Sequence, residues 1–212
     1  AMTNVLADLA VETEAATFVA IRLASAVDKP HDPHEQALRR IGLALEKFWV
    51  CKRTPMMVAE ALECLGGNGY VEESGMPLMF RESPLNSIWE GSGNVNALDV
   101  LRALGREPES LDAWITEMAD VRGEDARLDI AVDGVLTELA DLTDVEVRAR
   151  RIAASMATCL QAAVLIKHGH PSVADAFCAS RLAGDWGGTF GTLPRGLDLA
   201  GIVARTTPHL ES

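Results

Sequence analysis

Hydrophobic residues recur every three or four positions along most of the chain, which is the spacing that places side chains on one face of an α-helix. The first 27 residues predict one long helix whose apolar stripe comprises Leu6, Leu9, Thr13, Ala16, Ala20, Leu23 and Val27. A second helix is predicted over residues 35–65, with a kink after Thr54, because Pro55 removes a backbone donor. A third is predicted over residues 95–104, and no alternating run predicts a strand.

The connection between the second and third predicted helices is unusually long. LGGNG at residues 65–69 ends the second helix, since adjacent glycines allow the positive φ angles of a helix stop. Residues 70–93 contain two prolines and several glycines and serines, and they predict an irregular loop. Loops of this length within a compact domain are often functional.

The second half of the chain predicts further helices. TDVE at residues 143–146 is the pattern of a capping box, with Thr143 as the N-cap of a long helix that stops at Gly169. Shorter helices are predicted over residues 172–183 and 197–203, on either side of a glycine-rich loop. Both halves of the chain are therefore predicted to be helical.

Composition and pattern together predict the fold class. Hydrophobic residues make up 48% of the chain and aromatic residues only 5%, a mix that favours packed helices over a sandwich of short strands. We predict an all-α protein, with an antiparallel helical bundle over residues 2–106 and an additional helical region over residues 107–212.

Charge, cysteine spacing and histidine spacing narrow the expected partners. The formal net charge of -12 disfavours nonspecific binding to nucleic acid or anionic lipid. No apolar run approaches the length of a membrane helix, so no membrane association is expected. The four cysteines lack CxxC spacing and lie within apolar helical patterns, so they predict reduced, buried thiols in a cytoplasmic protein. His31 with His34, and His168 with His170, lack the further ligands of a metal site, so no metal is expected.

Two glycine-rich turns carry the candidate chemistry. LGGNG at residues 65–69 lets a ligand approach the main chain, although it matches neither a P-loop nor a dinucleotide-binding fingerprint. WEGSG at residues 89–93 places Glu90 beside Trp89, directly before a helix. An indole that shields a carboxyl group from water raises its pKa and makes it a better base near neutral pH. Taken alone, the two turns are also explained by a helix stop and a solvated loop acid.

The segment from residue 61 to residue 104, ALECLGGNGYVEESGMPLMFRESPLNSIWEGSGNVNALDVLRAL, resembles the C-terminal helical domain of the acyl-CoA dehydrogenase family. That family has a Gly-Gly-Asn-Gly turn, an aromatic-Glu-Gly-Thr motif about twenty residues later, and then a helix that ends in Arg. The tryptophan, the Gly-Ser-Gly-Asn run and the C-terminal extension look most like the AidB-like (alkylation-response) branch. The resemblance covers residues 2–106, and the rest resembles the extra helical region of that branch.

The resemblance implies an enzyme that oxidises acyl-CoA thioesters to trans-2-enoyl-CoA with FAD. Glu90 matches the carboxylate that takes the α-proton, and its backbone N–H matches a donor to the thioester carbonyl. Trp89 and Gly91 flank this base in the implied substrate pocket. The positions that match FAD contacts are Ser92 and Asn94 and, toward the FAD of a neighbouring subunit, Gly66, Gly67, Asn68 and Gly69.

The sequence departs from the family pattern at two points. Glu63 stands in the helix before the glycine turn, where many members have Gln, so an acid would face the pyrophosphate of the cofactor. The chain also begins inside the bundle, with Ala1 before the first methionine, no signal peptide, and no counterpart of the family's N-terminal and middle β domains. We therefore expect a fragment that is inactive alone and exposes the stripe of its first helix, so that a homo-oligomer is expected.

Two non-catalytic functions are the alternatives. The AidB-like branch has been linked to DNA through its C-terminal region, and RARR at residues 148–151 is the basic cluster there. Residues 109–212 hold 9 Lys and Arg against 16 Asp and Glu, so nucleic acid is the less favoured partner. A helical oligomerisation module is the other alternative.

Overall fold

The computed structural model describes residues 1–208, which form ten α-helices and no strand, so the all-α prediction is confirmed. The helices are α1 (Met2–Val27), α2 (Pro33–Cys64), α3 (Gly67–Tyr70), α4 (Met76–Glu82), α5 (Gly93–Arg106), α6 (Glu109–Ala119), α7 (Ala126–Ala140), α8 (Val145–His168), α9 (Pro171–Phe177) and α10 (Leu199–Thr206). Two 3-10 turns and one π-helical turn lie between them, at Glu72–Ser74, Leu85–Ser87 and Cys178–Leu182.

Four helices form the bundle: α1 packs against α2, α2 against α5, α5 against α8, and α8 against α1. Ion pairs show that α1 and α2 run in opposite directions. Arg22 bonds to Glu35 near their connection, whereas Arg53 bonds to Glu12 at the far end. The predicted antiparallel bundle is therefore confirmed, and α6, α7, α9 and α10 pack against its outside.

The hydrophobic core continues from the first half of the chain into the second. Val100 of α5, Trp114 of α6 and Met156 of α8 belong to one cluster and are fully buried. The indole N–H of Trp114 also donates to the main-chain carbonyl of Met156 at 3.1 Å. The bundle thus takes its fourth helix from the C-terminal region, while the domain boundary at residues 106 and 107 stays a prediction.

Helix α8 is long and apolar enough to cross a membrane by length and composition, so the expectation that no run reaches this length was wrong for α8. Its apolar window is 72% buried inside the structure. A helix that is apolar on most sides suits either a membrane or the centre of a bundle. In this structure α8 lies at the centre of the bundle, where it packs against α1, α2, α5, α6 and α7.

The prediction of an irregular loop over residues 70–93 was wrong, whereas the helix predicted over residues 172–183 is present with a change of spacing. Residues 70–93 contain α4 and both 3-10 turns, because Pro77 lies in the first turn of α4, where a helix needs no backbone donor. The predicted helix over residues 172–183 changes to π-helical spacing after α9, since the Ala183 N–H donates to the Cys178 carbonyl five residues back, at 2.9 Å.

The predicted capping box before α8 was also wrong. The chain enters α8 through Asp144, whose φ is 49°, so Thr143 lies one residue too early to be the N-cap. The N–H of Thr143 is instead bonded to the Asp141 carboxylate at 2.8 Å. Arg148 then donates to the Thr143 carbonyl at 2.9 Å and so holds this connection against the helix.

The four cysteines are free. Cys159 and Cys178 are buried, and burial raises the pKa of both thiols to about 12. Cys51 and Cys64 are only half-buried, so the prediction of buried thiols is confirmed for two of the four. Within residues 1–208, no three side chains of His, Cys, Asp or Glu come together as the ligands of a metal ion would.

The predicted apolar stripe of α1 lies mainly on the outside of the structure. Leu6 is 39% exposed and Val27 49%, whereas Leu23 is buried. The face of α1 that meets the core instead comprises Ala7, Asp8, Ala10, Val11, Glu12, Ala15, Val19, Leu23 and Ala26. The outer face and the facing part of α2 border an apolar groove of about 550 Å³. The expectation that the first stripe is exposed is therefore confirmed.

Two carboxylates on the buried face of α1 are matched by two arginines. Arg181, in the π-helical turn, lies 2.6 Å from Asp8 and 2.8 Å from Glu12, and Arg53 of α2 bonds to Glu12 at 2.9 Å. Burial raises the pKa of Glu12, but the hydrogen bonds and charges of the two arginines outweigh burial and hold that pKa below its ordinary value. Both guanidinium groups also lie over the Trp186 ring, at 4.8 and 4.7 Å, so Trp186 anchors its loop on the bundle.

Glu46 of α2 is a third buried acid, and it has no cation beside it. Its Oε2 accepts a hydrogen bond from Gln161 of α8 at 2.8 Å, while Oε1 has no partner within the described chain. Burial, helped by the charge of Glu12, raises the pKa of the Glu46 carboxyl to about 8 against the opposing bond from Gln161. Glu46 is therefore protonated in the folded protein at neutral pH.

This raised pKa predicts that stability falls with rising pH. The unfolded chain loses the Glu46 proton near pH 4.5, whereas the folded chain keeps it to about pH 8. The contribution of protonated Glu46 to the free energy of unfolding is therefore complete below pH 4.5 and is lost as pH rises to about 8. Glu46→Gln is expected to remove this slope and to be more stable than wild type by about 4 kcal/mol at pH 8, but by less than about 1 kcal/mol at pH 5. Urea unfolding at both pH values measures the effect.

A matched control for this prediction is Glu124→Gln, since Glu124 is an exposed glutamate. It should follow the wild-type pH dependence. The buried amide of Glu46→Gln can donate to Gln161 Oε1, which has no partner in the part of the chain described. If Glu46→Gln loses stability with pH as steeply as wild type does, Glu46 is not the group responsible.

Candidate functional site

The turn that carries Glu90 connects a 3-10 turn to α5. The N–H groups of Ile88 and Trp89 both donate to the Leu85 carbonyl, at 2.9 and 3.2 Å. Glu90 then has a φ of 51°, and Gly91 follows with a φ of 103°. A left-handed conformation costs a non-glycine residue on the order of 1 kcal/mol, so it persists only where its surroundings hold it.

Side chains from two helices hold this turn, one on each side of the acid. Lys47 of α2 donates from Nζ to the carbonyl of Trp89 at 3.2 Å and to the carbonyl of Asn86. Asn96 of α5 donates from Nδ2 to the carbonyl of Gly91 at 2.6 Å. The main chain on both sides of the acid is therefore bonded to the bundle.

The turn presents its functional groups to the outside. Glu90 is exposed, and Trp89 is 56% exposed, so the expected shielding of the carboxyl group by the indole does not occur among the described residues. The backbone N–H of Glu90 donates to no main-chain carbonyl or side chain within residues 1–208. A carboxylate and an available N–H donor thus belong to one exposed residue.

The N-terminus of α5 lies directly after this turn. Ser92 is its N-cap, but no side chain among residues 1–208 caps the first N–H groups of this 14-residue helix. Asn94, in the first turn, is also exposed. Gly93 is buried, and a Cβ there would lie 2.6 Å from Lys52 Cε, so the helix starts close against α2. Helix N–H groups with a nearby hydroxyl and amide favour phosphate and hydroxyl groups of a ligand.

The glycine turn after α2 has a different local requirement. Gly66 has a φ of 59°, and Gly69 is buried where a Cβ would lie 2.1 Å from the Leu62 carbonyl oxygen, so both positions require glycine. Gly67 and Asn68 are exposed, and a Cβ placed on Gly67 would have no atom within 4 Å among residues 1–208, its chain neighbours and own helix backbone aside. The turn therefore leaves its main chain open to a ligand, as predicted.

The two glycine-rich turns border separate cavities. The glycine turn borders one of about 880 Å³, and Glu90 borders another of about 450 Å³ between α2 and α5. No residue lines both cavities in the part of the chain that the structure describes. Lys47, beside the Glu90 turn, is separated from the end of α2 at Cys64 by roughly 25 Å of helix. Within one chain, the predicted site residues therefore fall into two groups. One group lies at the Glu90 turn and comprises Trp89, Glu90, Gly91, Ser92 and Asn94. The other, residues 66–69, lies at the far end of α2.

The cavity beside the glycine turn has an acidic rim. Glu63 lines it together with Glu72 and Glu73, while the nearby Arg81 is paired with Glu72 at 2.8 Å. Like charges repel, so a phosphate group close to these acids would be disfavoured unless a cation came with it. The departure from the family pattern at Glu63 therefore has a physical consequence in the structure.

Sequence reasoning missed the two residues that hold the Glu90 turn. Asn96 lies six residues after Glu90, within the motif that carried the resemblance, and its place in the first turn of a helix could have indicated a bond back to the preceding turn. Lys47 lies 42 residues before Trp89, and no local pattern pointed to it.

The chain is similar to several known proteins over most of its length. Residues 1–105 match the family described as acyl-CoA dehydrogenase, C-terminal domain. The chain is 38% identical to AidB of Escherichia coli (strain K12) over 177 residues, which are 84% of this chain and 32% of that protein. It is 33% identical to acyl-CoA dehydrogenase family member 11 of Caenorhabditis elegans over 194 residues, covering 80% of this chain and 31% of that protein.

A solved structure gives the same relationship in three dimensions. The crystal structure of Caenorhabditis elegans ACDH-11 in complex with C11-CoA superposes with a TM-score of 0.67 and 25% sequence identity, covering 81% of this chain and 34% of that chain. The chain spans about a third of the length of the curated relatives it matches. It belongs to the acyl-CoA dehydrogenase family, and residues 1–105 are the C-terminal domain of that family.

Proposed function

We propose that the protein containing this chain oxidises an acyl-CoA thioester to its trans-2-enoyl form, with Glu90 as the base that takes the α-proton. The observation that supports this most is the Glu90 turn itself. It holds an exposed carboxylate in a left-handed conformation through bonds from Lys47 and Asn96, and it leaves the Glu90 N–H available. The C11-CoA bound to a relative adds support for an acyl-CoA ligand.

Glu90 would contribute two groups to the reaction. Its carboxylate accepts the proton from Cα, and its backbone N–H donates to the thioester carbonyl oxygen, where negative charge develops as the proton leaves. Both groups belong to one residue, so a turn that fixes the backbone of Glu90 also limits where its carboxylate can reach. Exposed Trp89 and half-buried Gly91 border the same position and are the proposed substrate contacts.

FAD is the proposed cofactor, and it would accept the hydride that leaves Cβ of the substrate. The groups at the start of α5 suit such a ligand, because the first N–H groups of the helix lack a side-chain cap and Ser92 and Asn94 are exposed beside them. We propose Gly66, Gly67, Asn68 and Gly69 as a second contact, to FAD held by another subunit. Their separation from Glu90 is consistent with a site shared between subunits.

Self-association in the cytoplasm is part of the proposal. The outer face of α1 and the segment around the glycine turn expose large apolar side chains, among them Ile21 at 64% and Tyr70 at 81%. Apolar surface such as the groove beside Ile21 is usually covered in the working protein. Four free thiols suit a reducing compartment.

The DNA-binding alternative is less well supported. Arg148 and Arg151 of the basic cluster both bond to Glu138, and Arg150 lies over the Phe48 ring at 5.7 Å. Cations engaged in the structure are less available for phosphates. The net charge of the chain, -12, points the same way.

The test is an anaerobic titration of the full-length gene product, purified with FAD, with butyryl-, undecanoyl- and palmitoyl-CoA. Flavin absorbance is expected to bleach with at least one thioester, and an equal amount of trans-2-enoyl-CoA is expected in the products. The matching enoyl-CoA is the control and should leave the absorbance unchanged. FAD-loaded protein that bleaches with none of the saturated thioesters would refute the proposed reaction.

A further inference from the structure

We infer that Lys47 is a positioning residue that fixes the orientation of the Glu90 backbone N–H and thereby the donor to the thioester carbonyl. The role of the N–H as a donor to the thioester rests on the proposed function, whereas its orientation by Lys47 does not. The bonds that Lys47 makes support this inference. Within residues 1–208 its polar partners are the carbonyls of Asn86 and Trp89 and, at 3.9 Å, the sulfur of Cys51.

The Trp89 carbonyl and the Glu90 N–H belong to the same peptide unit. The described chain contains no cis peptide bond, so these two groups point in opposite directions from one planar unit. Lys47 bonds to the carbonyl from α2, at 3.2 Å, and this bond turns the N–H away from α2 and toward the outside. The orientation of the proposed donor is therefore set by a side chain from another helix.

A cation is well suited to this role. A hydrogen bond from a charged donor is stronger than one from a neutral donor, and hydrogen bonds in series polarise one another. A peptide whose carbonyl accepts from an ammonium group is a better donor at its N–H. The bond from Lys47 thus orients the N–H and also increases its capacity to stabilise negative charge on a ligand oxygen.

The left-handed conformation of Glu90 makes such a restraint necessary. With a φ of 51°, Glu90 would relax to an ordinary conformation if nothing held the turn, and the peptide plane before it would rotate. Asn96 bonds to the carbonyls of Gly91 and Ser92, at 2.6 and 3.2 Å, and both lie after the acid. Lys47 is therefore the restraint on the peptide that matters for the donor.

Two variants separate this role from a general charge effect. Lys47→Met removes the donor and keeps the aliphatic stem. Arg39→Met is the matched control, because Arg39 lines the same cavity beside Glu90 but makes no bond to the turn within the described chain. Both lose one positive charge from one cavity, and Lys47→Arg restores a donor if Lys47→Met folds poorly.

The first measurement uses the 212-residue chain and needs no activity. The heteronuclear ¹H–¹⁵N NOE of the Glu90 amide reports its motion on the picosecond to nanosecond timescale. Lys47→Met is expected to lower this NOE, while Arg39→Met leaves it at the wild-type value. A Glu90 amide as ordered in Lys47→Met as in wild type would overturn the inference, whatever the enzyme does.

The second measurement is steady-state kinetics of the full-length gene product. A donor that acts mainly on developing charge should affect kcat more than KM, so Lys47→Met is expected to lower kcat by about 10–100-fold with KM within about threefold. Lys47→Arg should recover most of the loss. An active wild type with an unchanged kcat in Lys47→Met would reject the positioning role and leave the proposed function standing. An inactive, FAD-loaded wild type would reject the proposed function, and the amide measurement alone would then decide on Lys47.

Discussion

Replacing Glu90 by glutamine is expected to lower thioester-dependent flavin reduction by about 10²–10⁴-fold while leaving FAD and thioester bound. Glutamine has nearly the shape of glutamate and keeps the backbone N–H, so binding groups are retained. Its amide cannot accept a proton at neutral pH, so the step that needs a base is lost. Stopped-flow measurement of flavin absorbance in the full-length gene product gives the rate of this step directly.

Two companion variants make the Glu90 result specific. Glu82→Gln removes an exposed glutamate from the same surface segment and should react at the wild-type rate. Glu90→Asp keeps the base but shortens its reach by one methylene, so an intermediate rate is expected. A Glu90→Gln protein that is bleached as fast as wild type would show that the proton goes to another group.

Local chemistry explains which parts of this fold could be predicted. Helical spacing identified α1, α2, α5 and α8, because each contains several turns of periodic apolar residues. The glycine turn was recognisable because several glycines stand close together in the sequence, and the turn needs them. Gly66 has a positive φ, and Gly69 has no room for a Cβ. Glu90 stood out for the same reason, as an acid between an aromatic residue and two glycines.

Contacts between distant residues explain what could not be predicted. The sequence predicted that the apolar stripe of α1 is exposed, but it did not predict that the buried face of α1 carries Asp8 and Glu12. This burial depends on Arg181, which is 169 residues from Glu12 in the sequence and cancels the cost of burying a carboxylate. The role of Lys47 depends in the same way on a turn 42 residues further on. The periodicity of apolar residues gives no information about contacts between residues so far apart in the sequence.

Replacing Arg181 by methionine is expected to lower the free energy of unfolding by about 3–5 kcal/mol at pH 7. The Arg181 side chain is 3% exposed and lies against two carboxylates that are equally inaccessible, so methionine would leave their charges without this partner. Arg53 still bonds to Glu12, and the Gly191 N–H still bonds to Asp8 at 2.9 Å, but neither replaces the missing positive charge beside Asp8. Urea unfolding, followed by far-ultraviolet circular dichroism, measures the change.

The pH dependence and a second substitution show whether this loss comes from the missing charge pair or from a packing defect. Because the arginines hold the pKa of Glu12 below its ordinary value of 4.5, their contribution is present above that pH and is lost as pH falls through the lowered pKa. The gap between wild type and Arg181→Met should therefore narrow in acid, and Asp8→Asn should restore part of the stability at pH 7. Arg151→Met, which removes an arginine whose side chain is 77% exposed, should cost less than about 1 kcal/mol. The loss of stability in Arg181→Met could instead be the same at every pH and unchanged by Asp8→Asn. In that case packing of the π-helical turn on Trp186, rather than charge pairing, stabilises the junction between the first helix and the C-terminal region.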